Sequence, residues 1–258
     1  MERIHETALI DPAAELADDV EVGAFSIIGP QVTIGPGSRI GPHVVITGRT
    51  TIGRNNRIFQ FASIGEEPQD KKYAGEDTEL IIGDDNVIRE LCTFSRGTIQ
   101  GGGKTIIGNN NWIMAAVHIA HDCILGDNII MANNASLAGH VTVGDWAILS
   151  GYSLIHQFCN VGEHSFTSFA SHVNQSVPPY VTVAGEKASA KGINTEGLKR
   201  RGYTPEQIRN VRRAYKVLYR SGLRLEEARE QLDKMAAEHD EIKPWIEFLD
   251  STEKSFIR

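Results

Sequence analysis

Four histidines, His118, His121, His140 and His156, crowd the middle of the chain, and Asp122 directly follows one of them. An imidazole whose ordinary pKa lies near 6.5 can take a proton from a hydroxyl at neutral pH and return it. His121, in the run His118-Ile119-Ala120-His121-Asp122, is the candidate general base. Gly139, in Leu137-Ala138-Gly139-His140, offers a bare backbone amide. Lacking a Cβ, it lets a substrate approach the N–H closely, and such an N–H stabilises the oxyanion of an attacked acyl carbonyl. Asp122 could orient His121. Adjacent side chains on a strand point to opposite faces, so the pair cooperates only if it sits at a corner. Three histidines could instead ligate zinc. These do not recur at one strand position, and no metal and no cofactor are expected.

The frame that must hold these groups is written as a period of six. Aliphatic residues recur without a slip from Ile4 through Ile10, Leu16, Val22 and Ile28 to Ile64, and Gly follows many of them, as at Gly23, Gly29 and Gly35. A period of six fits neither an alternating strand nor an amphipathic helix; with one inward aliphatic and a turn-permissive Gly it indicates a parallel β-helix. Three hexads make one triangular coil, so residues 18 apart stack directly. Asp122 then lies beneath His140, and His121 beneath Gly139, with Gln157 one coil further on.

The repeat breaks twice. Residues 66–81 carry the polar run Gln69-Asp70-Lys71-Lys72-Tyr73-Ala74-Gly75, and Gln100-Gly101-Gly102-Gly103-Lys104-Thr105 interrupts a later stretch. Solenoids expel such insertions as loops, often on a binding face. The hexads then run from Ile107 to Val173 with Thr167 off type, and Val177-Pro178-Pro179-Tyr180 is expected to close them, because prolines cannot donate to a ladder. Beyond about Ile193 the pattern is helical. Thr204-Pro205-Glu206-Gln207 offers an N-cap, a first-turn proline and a capping Gln, Gly222 a stop, and further helices are expected over about Leu225–Ala237 and from Pro244. The reading is a mainly β chain: a β-helix over residues 1–190 and a small helical domain over 191–258.

With 258 residues, 41% of them hydrophobic, and a net charge of −7, the chain has an ordinary soluble composition. No apolar run approaches the roughly 20 residues that span a bilayer, and Met1-Glu2-Arg3-Ile4-His5 lacks a leader pattern, so a cytoplasmic location without stable membrane insertion is expected. Cys92, Cys123 and Cys159 are odd in number and widely spaced, which indicates neither a disulfide framework nor a thiolate metal site. The acidic total argues against nucleic acid as a partner. Yet residues 199–224 hold nine basic side chains against one acid, Glu206. Lys72, Arg96 and the Arg200-Arg201 pair could bind phosphate.

The hexads, the His118–Asp122 run, Ala132-Asn133-Asn134-Ala135, His156-Gln157-Phe158 and the run Asn194-Thr195-Glu196-Gly197-Leu198-Lys199-Arg200-Arg201-Gly202 together resemble one family, as do the loop at 69–75 and Arg96–Gly103. It is the acyl-ACP:UDP-N-acetylglucosamine O-acyltransferases, which begin lipid A synthesis, and the resemblance covers essentially the whole chain. It implies a left-handed coil, a cytoplasmic homotrimer, and transfer of a (R)-3-hydroxyacyl chain from acyl carrier protein to the 3-position of UDP-N-acetylglucosamine. It also implies His121 as base and Gly139 as oxyanion donor, with Asp70, Lys72, His118, His140, His156 and Gln157 around sugar and acyl group. Asn194, Glu196, Arg200 and Arg201 match positions near nucleotide and carrier, and Phe169 a position that closes the acyl groove and favours shorter chains. The basic C-terminal segment would steer the acidic carrier. The chain departs from many relatives at Ser95 and at Gly185-Glu186-Lys187. Rival readings are the later N-acyltransferase of the same pathway, a γ-type carbonic anhydrase on the same solenoid, and a β-helix that only scaffolds.

Overall fold

Each hexad folds into one short strand and one turn. The computed structural model describes residues 3–252 and 255–258; Met1 and Glu2, the start of the stretch read for a leader pattern, lie outside the described residues. The chain winds through three faces in rotation. Face I has nine strands, from Leu9–Ile10 to His172–Val173; face II has eight, from Glu15–Leu16 to Asn160–Val161; face III has ten, from Glu21–Val22 to Ser189–Ile193. Neighbours pair in parallel with the expected 18-residue offset, as in Leu9↔Ile27 and His118↔Ser136. The architecture is therefore a parallel β-helix.

The aliphatics of the repeat face inward and are buried from Val22 onward, while Ile4 at the open end stays 44% exposed. Thr167, off type for the repeat, also points inward; its hydroxyl is paired with Ser153 Oγ at 2.7 Å, which satisfies the polar group that burial would otherwise penalise. The three cysteines are buried and form no disulfide among the described residues, and burial pushes the Cys123 thiol up to about 12.

The glycine after the aliphatic is not the residue that turns the chain. The left-handed backbone falls three residues after the aliphatic, at Phe25, His43, Phe61, Asp122, His140 and Phe158 among others, with φ between 56° and 64° at these six. Gly23 and Gly35 answer a different need. A Cβ on Gly23 would stand 2.6 Å from Pro42 N, and one on Gly35 2.8 Å from the Gly53 carbonyl carbon, so the bare Cα lets coils stack closely.

Val177-Pro178-Pro179-Tyr180 does not close the solenoid. Val181–Ala184 still pairs in parallel with the strand of Phe166 and Thr167, and Ser189–Ile193 then returns antiparallel along it. The prolines sit in the connection, where no ladder donor is needed. The division expected after residue 190 falls inside this last strand. Among the described residues four α-helices follow: α1 (Thr195–Arg200), α2 (Pro205–Arg220), α3 (Leu225–Glu238) and α4 (Lys243–Ser251). The expected capping box starts α2: Thr204 Oγ1 accepts from Gln207 N, and Gln207 Oε1 accepts from Thr204 N. Trp245 on α4 is fully buried and lies 6.2 Å from the Tyr180 ring, which joins the helices to the end of the coil.

Candidate active site

Both interruptions of the repeat leave the coil at the same edge. The loop of residues 67–78 departs between Ser63–Glu66 on face I and Glu79–Ile82 on face II; the second departs between Thr93–Ser95 on face I and Lys104–Ile107 on face II. The next coils put His121 and Asp122, then Gly139 and His140, then His156, Gln157 and Phe158 on that I/II edge. Asp70, Lys72 and six of the other predicted residues thus share one edge, and His118 adjoins them on face I.

The left-handed φ of 61° at Asp122 makes the corner on which its cooperation with His121 depends. Its carboxylate turns back toward the preceding ring, and His121 Nδ1 lies 2.7 Å from Asp122 Oδ2. The carboxylate side chain is 1% exposed and the His121 side chain 14%. With Nδ1–H donating to the acid, the ring would keep a lone pair on Nε2 to accept a proton. His140, stacked one coil above Asp122, places Nε2 3.6 Å from the same oxygen and lies flat on Phe158 at 4.4 Å. Burial holds His140 below the usual histidine range, opposed by the charges of Asp122 and Asp70, so Asp70 lies near enough for its charge to be felt. His118 is likewise lowered by burial; its Nδ1 is 2.8 Å from Thr93 Oγ1.

Gly139 needs its bare Cα for a reason that the sequence did not disclose. A Cβ there would come within 2.5 Å of His121 Cε1, so the ring rests on the glycine. The Gly139 carbonyl accepts from Phe158 N, whereas its N–H has no acceptor among the described residues. This N–H, two residues after the inward aliphatic, has no place in the main-chain ladder: at Arg54, Asp84, Asn109 and Asp127 it donates to a side chain of the next coil, and Pro30, Pro36 and Pro42 occupy the same place in earlier hexads, where the N–H is missing altogether.

His121, Asp122 and His140 have donor atoms within 4.8 Å of one another, a set that could ligate a divalent ion. The acid's oxygens are already engaged. Oδ1 accepts from Thr98 N at 2.7 Å, and Oδ2 from Thr98 Oγ1 at 2.6 Å as well as facing His121 Nδ1, so an ion would compete with these bonds. Thr98, given no role in the sequence beyond its place in the run Arg96–Gly103, is thereby part of the site. The Asp70 carboxylate accepts from Lys72 N at 2.9 Å, and Lys72 itself is exposed.

Apart from Arg96, which follows the face I strand Thr93–Ser95 at the same edge, the other predicted residues lie elsewhere in the protomer. Phe169 is 69% exposed on the III/I edge, with its ring 5.7 Å from Tyr152. Arg96 is buried and donates to Gly65 O at 2.6 Å and Tyr73 Oη at 3.0 Å, so its charge anchors the loop rather than facing outward for phosphate. Arg201 donates to Trp146 O at 2.7 Å and His164 Nδ1 at 3.2 Å on the II/III edge. Asn194 caps α1 through Gly197 N and donates to His164 O. Glu196 pairs with Lys199, and Arg200 is exposed.

This constellation has counterparts. Residues 13–48 and 104–139 match the bacterial transferase hexapeptide family, and residues 177–257 match the second domain of the UDP-N-acetylglucosamine O-acyltransferase family. The acyl-[acyl-carrier-protein]--UDP-N-acetylglucosamine O-acyltransferase of Thiobacillus denitrificans is 56% identical over 258 residues, all of both chains. That of Herminiimonas arsenicoxydans is 55% identical over 262, again all of both. The chain belongs to this O-acyltransferase family. Among solved structures, the UDP-N-acetylglucosamine O-acyltransferase of Moraxella catarrhalis superposes with a TM-score of 0.98 at 43% identity over the whole of both chains. The Francisella novicida enzyme gives 0.97 at 44%, over 99% of this chain and 94% of its own. The protein is accordingly an acyltransferase with the left-handed hexapeptide β-helix of that family.

Proposed function

We propose that this chain transfers a (R)-3-hydroxyacyl group from acyl carrier protein to the 3-hydroxyl of UDP-N-acetylglucosamine, the first step of lipid A synthesis, with His121 as the general base. The substrates follow those named for relatives identical at more than half of their positions. The observation that carries the mechanism is the His121 ring, tied to Asp122 through Nδ1 and resting on a glycine whose N–H has no acceptor. Nε2 takes the proton of the sugar 3-hydroxyl as its oxygen attacks the thioester carbon. The Gly139 N–H donates to the carbonyl oxygen as negative charge collects on it. The C–S bond then breaks, the carrier thiol leaves with the proton held on His121, and the 3-O-acyl sugar remains. Asp122 supports the imidazolium that forms in between. Lowered affinity for protons keeps His118 and His140 neutral beside it, able to hydrogen-bond hydroxyl groups of sugar and acyl chain without adding positive charge.

The exposed basic face of α2, with Arg209, Arg212, Arg213, Lys216 and Arg220, is proposed as the approach for the acidic carrier; none of the five is in an ion pair among the described residues. A cytoplasmic location and a homotrimer are part of the same proposal. Among the described residues no helix is long and apolar enough to cross a membrane.

The test is His121→Ala in an assay of acyl transfer from 3-hydroxyacyl carrier protein to UDP-N-acetylglucosamine. A positioned base contributes roughly 10²–10⁴-fold, and the coil, held by inward aliphatics, keeps its fold without the ring. A folded variant that retains more than about a tenth of the rate overturns the assignment.

A further inference from the structure

Asp122 carries a buried carboxylate that the hexad repeat alone cannot satisfy. In a regular coil its neighbours on the edge are His121 and His140, both of which need it. The extra residues after Gly97 supply what is missing. Thr98-Ile99-Gln100-Gly101 folds as a tight turn against the acid: an added Cβ on Gly101 would stand 2.0 Å from Asp122 Cγ, so the turn lies directly over the carboxylate and shuts out water. Thr98, 1% exposed, gives both its donors to this one side chain, N–H to Oδ1 at 2.7 Å and Oγ1–H to Oδ2 at 2.6 Å. A threonine opening a 3-10 turn usually turns its hydroxyl onto the turn's own N–H groups; here no such bond is made. From below, Thr105 Oγ1 accepts from Asp122 N at 2.8 Å and fixes the corner backbone.

We infer that Thr98 is a positioning residue for the transfer reaction: its hydroxyl fixes the Asp122 carboxylate in the orientation that holds the His121 ring with Nε2 facing substrate. The inference rests on the reading of His121 as base. Two charge-assisted bonds from one residue lock the carboxylate in both plane and rotamer, so Oδ2 has one direction left for His121 Nδ1. Without the hydroxyl, Oδ2 is free to turn and His121 is held less well in the orientation that the transition state requires. Substrate contacts are untouched, so the loss falls on kcat. The second break in the hexads is thus the clamp on the acid, while the first carries Asp70 and Lys72.

Thr98→Val keeps the shape and the backbone N–H but gives up the hydroxyl. A hydrogen bond to a charged group corresponds to a fall in kcat on the order of tenfold or more, with KM within about twofold. Thr98→Ser, which restores the hydroxyl, is expected to recover at least about half of kcat. In an Asp122→Asn background, Thr98→Val is expected to cost no further kcat, since the two act as one unit. Melting temperatures are taken for each; if Thr98→Val is grossly destabilised, Thr98→Ala, which loses the same hydroxyl without the bulk, is read in its place. Wild-type kcat in the hydroxyl-less variant overturns the inference, as does an undiminished loss in the Asp122→Asn background. His121→Ala run alongside separates the two readings: a slow His121→Ala with a fast Thr98→Val refutes Thr98 alone, and a fast His121→Ala refutes the base.

Discussion

His121 rests on Gly139, Gly139 keeps an idle N–H, and the carboxylate beside them is shielded by a turn; in the proposed mechanism residues of ordinary type act through position. The same holds for Phe169. Its ring stands exposed on the III/I edge, across face I from His121, with Tyr152 against it and Gly151 beneath, where an added Cβ would touch the ring at 3.2 Å. In the proposed reading, an acyl chain that left the thioester at the I/II edge and crossed face I toward the III/I edge would meet this ring. A coil held by main-chain ladders does not widen, so a Phe there excludes methylenes that a smaller residue admits, and each CH₂ that does fit contributes about 0.8 kcal/mol. Phe169→Gly is therefore expected to shift preference toward longer 3-hydroxyacyl donors by several-fold in relative kcat/KM per added pair of methylenes. Competition between donors of two lengths, on wild type and variant, measures it; an unchanged ratio removes Phe169 as the limit.

At the scale of elements, the repeat made the coil, the stacking of His140 on Asp122 and the α2 capping box legible, because each depends on spacing alone. The corner at Asp122 was legible only as a condition. Nothing in residue type marks it, since the left-handed position is filled by Phe, His, Asn, Asp, Leu, Trp and Tyr in different coils. Thr98 was invisible for a related reason: it sits in an insertion with no periodicity to place it. Arg201 read as a free cation, yet it is consumed in the joint between coil and helices. There His164 is stacked against Trp146 and Tyr180, accepts from Arg201 at Nδ1, and has Tyr203 Oη 3.2 Å from Nε2. Arginine only donates, so Nδ1 carries a lone pair and the ring is neutral; burial, with the Arg201 charge, lowers its pKa to about 4. Glu163 lies 3.8 Å from Nε2, beyond hydrogen-bond distance, and its own affinity for protons is raised by burial. The unfolded chain, with an ordinary histidine near 6.5, binds a proton that the folded joint refuses. This contribution is present above about pH 6.5 and is lost as pH falls toward 4; Glu163, which holds its proton better when folded, opposes part of the loss. The melting temperature is expected to drop between pH 7 and pH 5, and His164→Phe to melt lower at pH 7 while losing less over the same interval. Equal losses in both would show that the joint does not titrate through His164.

For the whole molecule, several of the large exposed apolar residues gather along one edge. Phe25, His43, Phe61 and Leu91 run up the III/I edge in successive coils, with Phe25 stacked on His43 at 5.1 Å and His43 on Phe61 at 5.2 Å; Tyr152 and Phe169 continue the same edge, and Leu9 and Ile27 flank it on face I. Phe25, Phe61 and Leu91 are each more than half exposed. A ladder of aromatic and aliphatic side chains of this length is the kind of surface that a partner covers, and a rigid prism with one such edge can meet identical copies around a closed axis. The proposed trimer uses it. Assembly would also account for the separation, within one protomer, of Arg200, Glu196 and Phe169 from the I/II edge, since a neighbour's edge can lie against the His121 groove. Light scattering of the purified protein is expected to give three times the chain mass of 28.3 kDa. Phe61→Asp combined with Leu91→Asp places two charges on the ladder, each with a desolvation cost that no facing group offsets, and is expected to yield monomers that melt lower and turn over slowly although His121, Asp122 and Thr98 are intact. A wild-type monomer refutes the assembly. A trimer that survives both charges, with full activity, moves the interface to another edge.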